Sequence, residues 1–467
     1  MTLKIYNTFT RQKETFEPLE PGKINMYVCG MTVYDYCHLG HARVLVAFDV
    51  ITRFLRETGW DVNYVRNITD IDDKILNRAE ENGEVYTDLT ERFIKCMWED
   101  EYKLGVKPPD HQPRATAHID QIIAMVETLI EKGYAYLADN GDVYYAVEKF
   151  EAYGKLSNKN TDDLLAGARV DVDAAKKDPR DFALWKAAKA GEVAWASPWG
   201  DGRPGWHIEC SAMSTCCLGN TFDIHGGGPD LPFPHHENEI AQSEAATGEK
   251  YAHYWMHAGA VRVDGEKMSK SLGNFFTIRE ILAKYHPEVI RYLLISSQYR
   301  SAINYSEESL KTAKGALDRF YTALKGFEEL LPVPLSQFSE KTEYLVRFIA
   351  AMEDDFNTPE ALAAMFDMVR ELNSLIACGE SGRSTKIALE LKSVGQVLGL
   401  FIDLPDRFLK AGGSDEISAE DIEVKIAKRI AAKDAKDYAL ADQIRKELTE
   451  QGVILEDSKN GTGWRRG

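Results

Sequence analysis

The feature that most constrains the fold of this chain is residues 27–43, YVCGMTVYDYCHLGHAR. An apolar run at residues 24–28 predicts a buried strand before it, and residues 42–56 predict an amphipathic helix that ends before Gly59. A second apolar run, residues 62–68, predicts another buried strand. Strand, helix and strand within about fifty residues make a βαβ unit, which binds ligands at the carboxyl ends of its strands.

Cys29, His38, Gly40 and His41 are therefore expected to lie together at this edge of a parallel sheet. Glycine at position 40 would let a flat group approach the backbone closely, because no Cβ stands in the way. The helix start behind it offers unpaired N–H groups and a partial positive charge to a phosphate. The two histidines could equally cap the helix or fill a polar edge, so this segment alone leaves the choice open.

A second segment far downstream, Lys267-Met-Ser-Lys-Ser271, favours the phosphate interpretation. Gly265 and Gly273 flank it, and lysines on a loop of this kind supply mobile point charges for a triphosphate. The pair HLGH and KMSKS, in this order and at this separation, resembles the signature motifs of the class I aminoacyl-tRNA synthetases. The resemblance implies a Rossmann-type domain that binds ATP.

Cysteine, histidine and glutamate residues form a candidate metal site. His235 and Glu239 are four residues apart and would share one helix face. Cys29 follows the first strand, and Cys210 is expected just after a strand in the other half of the sheet. Two thiolates, one imidazole and one carboxylate suit Zn²⁺, although buried cysteines are often only small core residues. Spacing alone leaves other donors open, namely Cys37, His207, Cys216, Cys217, His225 and His236.

Composition limits the compartment and the partners. The 467 residues are 44% hydrophobic and 28% charged, which is typical of a globular protein with an ample core. Seven thinly spread cysteines, no signal-peptide pattern and no membrane-length apolar run favour a cytoplasmic protein that contacts no membrane. The net charge of −18 disfavours binding of nucleic acid over most of the surface. Residues 425–446, however, carry seven Lys or Arg against three Asp. A polyanion could therefore contact this basic end alone.

Longer motifs resemble one family within the class, the cysteinyl-tRNA synthetases. The resemblance runs from about residue 5 to the end of the chain. It rests on YVCG before HLGH, on KMSKS, and on NITDIDDK (67–74), GWHIECSAM (205–213), HGGGPDLPFPHHENE (225–239), AKDYALAD (435–442) and GTGWRR (461–466). It implies one Zn²⁺ per chain, held by Cys29, Cys210, His235 and Glu239.

The resemblance also implies the reaction. The carboxylate of L-cysteine attacks the α-phosphate of ATP, and the cysteinyl group of the adenylate then passes to the 3′ end of tRNA-Cys. The enzyme must align the reactants and stabilise charge on the phosphate, with Mg²⁺ accompanying ATP. The implied catalytic residues are His38, His41, Lys267 and Lys270. The implied ATP-binding residues are Gly40, His41, Gly228, Asp230 and Lys270, although the glycine-rich run at 226–228 could also be a plain tight turn.

Specificity for cysteine over serine is expected to come from the zinc. A pocket that reads shape alone separates near-isosteres by only about two orders of magnitude, whereas a thiolate binds Zn²⁺ far better than an alcohol does. The amino-acid pocket is expected to include Thr69, with Thr69 or Asp70 also a plausible helix N-cap. Trp206 is expected either to wall the pocket or to belong to the core.

The predicted fold class is α/β, with a Rossmann-type parallel-sheet domain split by an insertion and followed by a helical bundle and a small C-terminal α/β domain. The expected segments are the first catalytic half (1–113), the insertion (114–205), the second catalytic half (206–264), the lysine-loop and stem-contact region (265–320), the helical bundle (321–410) and the C-terminal domain (411–467).

The C-terminal domain is the expected anticodon reader. Its residues 417–450 are predicted to form a helix, followed by a strand at 453–455 and a short tail. Side chains in it could stack on bases, accept from base edges or pair with phosphates, although an ordinary solvated charged face would have the same composition. The candidate tRNA contacts are Lys433, Tyr438, Asp442, Trp464, Arg465 and Arg466.

Two other functions compete with this interpretation. A related ligase could pass the same adenylate to an amino sugar for low-molecular-weight thiol synthesis, but it would have no use for the basic C-terminal domain. A non-catalytic RNA- or zinc-binding paralogue would have no reason to keep both signature motifs and all four metal positions. We therefore expect a tRNA ligase that acts as a monomer.

Overall fold

The computed structural model describes residues 2–158, 175–268, 273–411, 417–458 and 461–466. The strands in these ranges are β1 (Lys4–Asn7), β2 (Gln12–Thr15), β3 (Lys23–Thr32), β4 (Asp61–Thr69), β5 (Ala135–Leu137), β6 (Val143–Tyr145), β7 (Phe182–Ala187), β8 (Gly202–Pro204), β9 (Phe222–Gly227), β10 (Ala252–His257), β11 (Val261–Val263), β12 (Glu266–Lys267), β13 (Ile303–Tyr305), β14 (Val453–Ser458) and β15 (Gly461–Arg466).

Helices cover the sheet and make up most of the second half of the chain. They are α1 (Leu39–Glu57), α2 (Asp73–Asn82), α3 (Tyr86–Lys103), α4 (Ile119–Glu131), α5 (Trp206–Leu218), α6 (Glu237–Thr247), α7 (Ile278–Leu282), α8 (Pro287–Ile295), α9 (Glu307–Ala323), α10 (Glu343–Glu353), α11 (Thr358–Ala377), α12 (Ser381–Leu398), α13 (Pro405–Lys410), α14 (Ala419–Asp434) and α15 (Tyr438–Glu450). Within the described ranges, no helix is long and apolar enough to cross a lipid bilayer.

The central sheet is parallel and has the strand order β10-β9-β3-β4. Helix α1 connects β3 to β4 on one side, whereas the second half of the domain adds β9 and β10 on the other side of β3. The strand order thus reverses beside β3, and such a reversal opens a crevice at the carboxyl ends of the strands. The predicted βαβ unit and the α/β fold class are confirmed, with Cys29 near the carboxyl end of β3 and the HLGH motif at the start of α1.

The insertion has a sheet of its own, which is antiparallel with the order β5-β6-β7-β8. Its core packs Val143, Tyr145, Leu184 and Trp185 against α4. The linker that precedes it is not free, because Arg66 N donates to His111 O (3.0 Å) along the edge of β4. The insertion therefore begins from a chain segment bound to the catalytic sheet.

Cys210 does not follow a strand, as the sequence had suggested, but lies in the second turn of α5. Strand β8 ends at Pro204. The next residue, Gly205, lies so close to strand β7 that a Cβ on it would lie 2.0 Å from Ala183 O. Gly205 is the extended cap from which α5 begins at Trp206. The motif GWHIEC is thus a helix start.

The cap of α2 is also different from the prediction. Neither Thr69 nor Asp70 caps the helix, because Thr69 is still part of β4 and the Asp70 carboxylate accepts from Thr116 N (2.9 Å) and Oγ1 (2.6 Å). Asp72 has an extended backbone and accepts from Lys74 N (2.8 Å), which makes it the N-cap. Extra hydrogen-bond partners supplied by the insertion account for the shift.

The predicted helix at 417–450 is two helices, α14 and α15. Lys436 has a φ of 60°, and the Asp437 side chain accepts from Leu440 N (3.1 Å) to cap the second helix. A side chain that caps a new helix competes with continuation of the old one. The expected tail is also a strand, because β15 pairs antiparallel with β14.

Candidate active site

A bulge in β3 places Cys29 at the mouth of the crevice. The register between β3 and β4 shifts between Val28 and Met31, and Gly30 N donates to Asn67 Oδ1 (2.7 Å). A Cβ on Gly30 would lie 1.7 Å from the Asn67 carbonyl oxygen, so only glycine fits there. The close approach of the two strands fixes the direction of the Cys29 side chain.

Four side chains meet above this bulge, from β3, α5, α6 and the helical turn Pro232–His236 that leads into α6. Cys29 Sγ lies 3.7 Å from Cys210 Sγ and 3.3 Å from Glu239 Oε1, and His235 Nε2 lies 3.0 Å from the same oxygen. Their four candidate ligand atoms all lie within 4.8 Å of one another, and all four residues are buried. The structure therefore brings together the four residues that the sequence proposed as metal ligands.

A second layer of polar groups holds these side chains. His225 Nε2 lies 2.8 Å from Glu239 Oε2, which also accepts from Tyr251 Oη (3.1 Å). On the other side, His207 Nδ1 is 2.8 Å from His235 Nδ1. Ligands of metal ions are usually oriented by such outer hydrogen bonds. His207 thus supports His235 from behind and does not compete with it.

The charges in the cluster favour a bound cation. Burial opposes ionisation of Glu239, but the neighbouring His225 and His235 rings hold the pKa of that carboxyl well below its usual value. The hydrogen bond from Cys29 lowers the pKa of the Cys210 thiol, while burial and the nearby Cys210 raise that of Cys29. Burial opposes protonation of His235, but Glu239 and Cys210 raise the pKa of its imidazole to about 10. The carboxylate and the thiolate thus share one proton on His235, which a bound cation would replace.

The donors fit zinc in kind, because two sulfurs, one imidazole nitrogen and one carboxylate oxygen suit a borderline-soft ion. A second buried set, Cys29, His225, His236 and Glu239, shares two of these residues and is equally compact. It offers only one sulfur, and His236 Nε2 lies 3.9 Å from Glu239 Oε1, against 3.0 Å for His235 Nε2. The set with Cys210 and His235 is therefore the better match to a soft ion.

The other cysteines that the sequence left open lie elsewhere. Cys37 Sγ contacts Met31 Sδ (3.7 Å) and belongs to the core around α1. Cys216 is exposed and Cys217 is half-buried at the end of α5. Neither belongs to a compact metal-ligating group among the described residues.

Two predicted pocket residues flank the cluster. The Trp206 ring stacks on His235 with centroids 4.1 Å apart, and 37% of its surface is exposed. Trp206 is therefore a wall of the crevice and not a core residue. Thr69 is buried and accepts from Asn67 Nδ2 (3.3 Å) at the carboxyl end of β4.

Glu209 is a buried acid beside this pocket that sequence reasoning missed. Burial raises the pKa of its carboxyl well above its usual value, with the charges of Cys210, Asp72 and Asp70 adding to the shift and Thr69 opposing it. Nothing in the pattern of α5 distinguishes this glutamate from a solvated helix residue.

The HLGH histidines cap α1, as one interpretation of the sequence held. His41 N donates to His38 Nδ1 (3.3 Å), His38 N donates to His41 Nδ1 (3.2 Å), and the rings stack 3.6 Å apart. Because each Nδ1 accepts a hydrogen bond, the proton of each neutral ring is on Nε2. Burial and the adjacent His38 lower the pKa of His41 well below its usual value, so a neutral ring with an Nε2–H donor results. Capping and phosphate binding are thus compatible roles.

The start of the KMSKS segment lies against HLGH. A Cβ on Gly40 would lie 3.6 Å from Met268 Cε, and Lys267 ends strand β12. Beyond the loop, Leu39 N donates to Phe276 O (3.1 Å) and Ile278 N donates to Cys37 O (2.8 Å). Lys270 lies outside the described residues. The HLGH segment is therefore hydrogen-bonded to the chain that follows the lysine loop, and Met268 at the start of that loop lies close to Gly40.

The glycine-rich run leads from β9 into the same crevice. A Cβ on Gly228 would lie 2.9 Å from Asp230 Oδ1, so glycine at 228 lets that carboxylate fold back beside the backbone. Gly226 packs on Phe48 of α1, where a Cβ would lie 2.3 Å from the ring. The run is a tight turn that also brings Asp230 close to α1.

Most of the predicted tRNA-binding cations are already paired within the chain. Lys433 Nζ lies 3.2 Å from Asp457 Oδ2, and Arg465 Nε lies 3.1 Å from Glu456 Oε1. Arg466 Nη2 donates to Ile417 O (2.8 Å). Tyr438 and Asp442, in contrast, are exposed on α15.

The prediction that Trp464 stacks on a base of the tRNA is wrong, because Trp464 is a core residue. It is only 3% exposed, packs in the core of the C-terminal domain with Ile422, Leu448 and Leu455, and donates from Nε1 to Glu423 (2.7 Å). In this arrangement its ring cannot stack on a base. The sequence could not separate a core tryptophan from an exposed one in a short terminal strand.

We expect Trp464→Ala to destabilise the C-terminal domain by about 3–5 kcal/mol, because it removes the largest side chain of a small core. Thermal denaturation followed by far-UV circular dichroism measures the change. The exposed Tyr438→Ala is the matched control and should shift stability by less than about 0.5 kcal/mol. Equal effects of the two variants would contradict the core assignment.

Comparison with solved structures shows the fold, and a family model shows the class. The chain superposes on methionyl-tRNA synthetase of Mycobacterium tuberculosis in complex with methionyl-adenylate with a TM-score of 0.56, covering 80% of this chain and 89% of that one at 15% identity. A putative arginyl-tRNA synthetase of Campylobacter jejuni gives 0.50 at 13% identity, covering 82% and 94%. At such identities the likeness shows the fold alone.

Residues 15–315 match the family described as "tRNA synthetases class I (C) catalytic domain", and residues 347–402 match the DALR domain. The fold and the site thus define a class I aminoacyl-tRNA synthetase.

Curated relatives resolve the family. The cysteine–tRNA ligase of Azotobacter vinelandii is 62% identical over 465 residues, which cover 100% of this chain and 99% of that protein. The cysteine–tRNA ligase of Chromohalobacter salexigens is 64% identical over 464 residues, covering 99% of each. The chain belongs to the cysteine–tRNA ligase family. The resemblance predicted from the sequence motifs is thereby confirmed.

Proposed function

We propose that this chain activates L-cysteine with ATP and transfers the cysteinyl group to the 3′ end of tRNA-Cys, with release of AMP and diphosphate. One observation carries the proposal: Cys29 of the buried Cys29–Cys210–His235–Glu239 cluster lies near the carboxyl end of β3, and the chain that leaves this strand forms the HLGH pair at the start of α1, beside Met268 of the lysine loop. A thiol-selective donor set and a phosphate-binding helix start thus share one site at the reversal beside β3.

We propose that Cys29, Cys210, His235 and Glu239 hold one Zn²⁺ per chain. When bound, the ion supplies a soft centre that prefers a thiolate to an alcohol, which accounts for rejection of serine. The protein's own part is to keep the donors buried and oriented. His207 fixes the His235 ring, and His225 and Tyr251 fix the Glu239 carboxylate.

The activation step needs no covalent link to the enzyme. The carboxylate of cysteine attacks the α-phosphate while diphosphate leaves, and the enzyme stabilises charge on the phosphate oxygens. His38 and His41 would donate from Nε2 to those oxygens beside the N–H groups at the start of α1. Lys267 and Lys270 would pair with the triphosphate and its Mg²⁺, and Gly40 leaves room for the nucleotide.

We propose that Gly228 and Asp230 contact the ribose of ATP and that Thr69 and Trp206 line the amino-acid pocket. For tRNA, the support is strongest at the exposed Tyr438 and Asp442 on α15. Lys433, Arg465 and Arg466 would have to exchange their present partners for phosphates. For Lys433 and Arg465 this exchanges one anionic partner for another, which is consistent with salt-sensitive tRNA binding.

We further propose that the chain works as a monomer in the cytoplasm. All seven cysteines lie in the described ranges, and each is a free thiol. Free thiols at this number are typical of a reducing compartment.

Charging tests the acceptor. With radiolabelled cysteine and ATP, tRNA-Cys should become acid-precipitably labelled, whereas a glucosamine-type amino sugar should yield no cysteinyl product. The amino-sugar ligase is not favoured, because the relatives match over the whole chain, including the C-terminal domain. Label on the amino sugar and none on tRNA would contradict the proposal.

A further inference from the structure

Glu209 is a buried acid that the mechanism so far leaves without a role. It lies in the first turn of α5, is only 1% exposed, and directly precedes the proposed ligand Cys210. Its carboxyl lies beside Thr69, Asp70 and Asp72, across the carboxyl end of β4. Two consecutive residues of α5 thus contact two adjacent strands. Cys210 lies beside Cys29 of β3, and Glu209 lies beside Thr69 of β4.

The other two acids of this group have partners, but Glu209 has an unused oxygen. Asp70 accepts from the backbone and hydroxyl of Thr116, and Asp72 caps α2. Glu209 Oε2 is buried and accepts no hydrogen bond. Among the described residues, no Lys, Arg or His forms an ion pair with Glu209. A group of acids in which one buried acceptor is unused is suited to a cation that arrives with the substrate.

We propose that Glu209 binds the α-ammonium group of the substrate amino acid. In cysteine, two carbon atoms separate the sulfur from the ammonium nitrogen. Glu209 directly precedes Cys210, and among the neighbouring charges that of Cys210 acts most strongly on the Glu209 carboxyl. A substrate whose sulfur lies at the cluster would therefore bring its ammonium group close to this carboxyl. Trp206 stands at the open side of the same helix start.

This inference rests on the proposed function, since it assumes that cysteine binds with its sulfur at the metal cluster. It gives α5 a combined role, in which consecutive residues recognise the sulfur and the ammonium group. The spacing between them would then weaken the binding of thiols whose amine is missing or more distant. Glu209 is in this sense a substrate-binding residue and not a metal ligand.

Three ligands that differ in one group test the inference. They are L-cysteine, cysteamine, which keeps thiol and ammonium, and 3-mercaptopropionate, which keeps thiol and carboxylate. We expect Glu209→Gln to raise the KM for cysteine in ATP–pyrophosphate exchange, and the inhibition constant of cysteamine, by about tenfold or more. The inhibition constant of 3-mercaptopropionate should change by less than about twofold, because it has no ammonium group to lose.

The wild type is measured first. If it catalyses cysteine-dependent exchange, the proposed activation of cysteine holds, and the variants then test the role of Glu209 alone. Glu288→Gln is the matched control, because Glu288 is an equally buried glutamate that accepts from Tyr321 and from two backbone N–H groups far from the site. It should leave all three constants unchanged. Equal weakening of cysteamine and 3-mercaptopropionate by Glu209→Gln, or an unchanged KM for cysteine, would overturn the inference.

Zinc content and thermal denaturation are read on every variant. If Glu209→Gln loses zinc or does not fold, Glu209→Asp is measured in its place. Aspartate keeps the carboxylate charge but places it one methylene further from the ammonium group of the substrate. Selective weakening of cysteine and cysteamine in that variant supports the inference. Weakening of all three ligands alike overturns it.

Discussion

Cys210→Ser is expected to lose its zinc and to activate cysteine at least about a hundredfold more slowly than the wild type, since loss of even an outer partner of a metal ligand costs about 10–100-fold. Serine keeps the size of the side chain but replaces the soft sulfur by an alcohol oxygen, which is a poor ligand for this ion. The Cys210 thiol lies 3.7 Å from Cys29 and receives its hydrogen bond, so it is the cysteine most readily ionised in the cluster. Metal analysis and cysteine-dependent pyrophosphate exchange measure the two effects on one sample.

Cys216→Ser is the matched control for that experiment. It makes the same chemical change in the same helix, but Cys216 is exposed and belongs to no metal-ligating group among the described residues. Zinc content and exchange should both stay at the wild-type level. Full zinc and undiminished exchange in Cys210→Ser would remove Cys210 from the ligand set and leave the alternative set with His225 and His236.

His38→Asn is expected to slow adenylate formation by about a hundredfold or more, the typical cost of removing one donor to a developing negative charge. The effect should fall on kcat, and the KM for cysteine should stay nearly constant, because the ring is proposed to act on the phosphate. Asparagine is a good N-cap, so stability should change by less than about 0.5 kcal/mol. Exchange kinetics and thermal denaturation separate the two roles of this histidine.

His38→Ala completes the comparison. It removes the cap as well as the Nε2 donor, and a lost cap costs about 0.5–2 kcal/mol of stability. Both variants should therefore be slow, but only the alanine variant should melt earlier. Wild-type activity in His38→Asn would mean that the reciprocal cap between His38 and His41 is the whole role of the pair.

The parts of the fold that follow from local periodicity were predictable. The apolar runs around residues 24–28 and 62–68 and the amphipathic segment between them became β3, β4 and α1, because burial on two faces or on one stripe leaves a clear pattern. The contact between Cys29 and Cys210, which are 181 residues apart, leaves no such pattern in the sequence. It was reached through the family resemblance, and the segment boundaries drawn from the sequence remain a prediction.

What escaped prediction depends on tertiary partners. The cap of α2 moved to Asp72 because Thr116 of the insertion took Asp70, and no local signal announces that contact. Trp464 has the composition of a base-stacking residue but fills a core that only the β14–β15 pair completes. Glu209 lies within a recognised motif, yet its burial and unused oxygen are visible only when α5 and β4 are placed together.

Cysteine-dependent ATP–pyrophosphate exchange, run beside serine with zinc determined on the same sample, is the decisive measurement for a zinc-selective cysteine ligase. We expect strong exchange with cysteine, none with serine and about one zinc per chain, as for a four-ligand site. Absence of exchange in a folded, zinc-loaded sample would contradict this expectation, because the phosphate-binding and thiol-binding halves of the site would then be assembled without acting together.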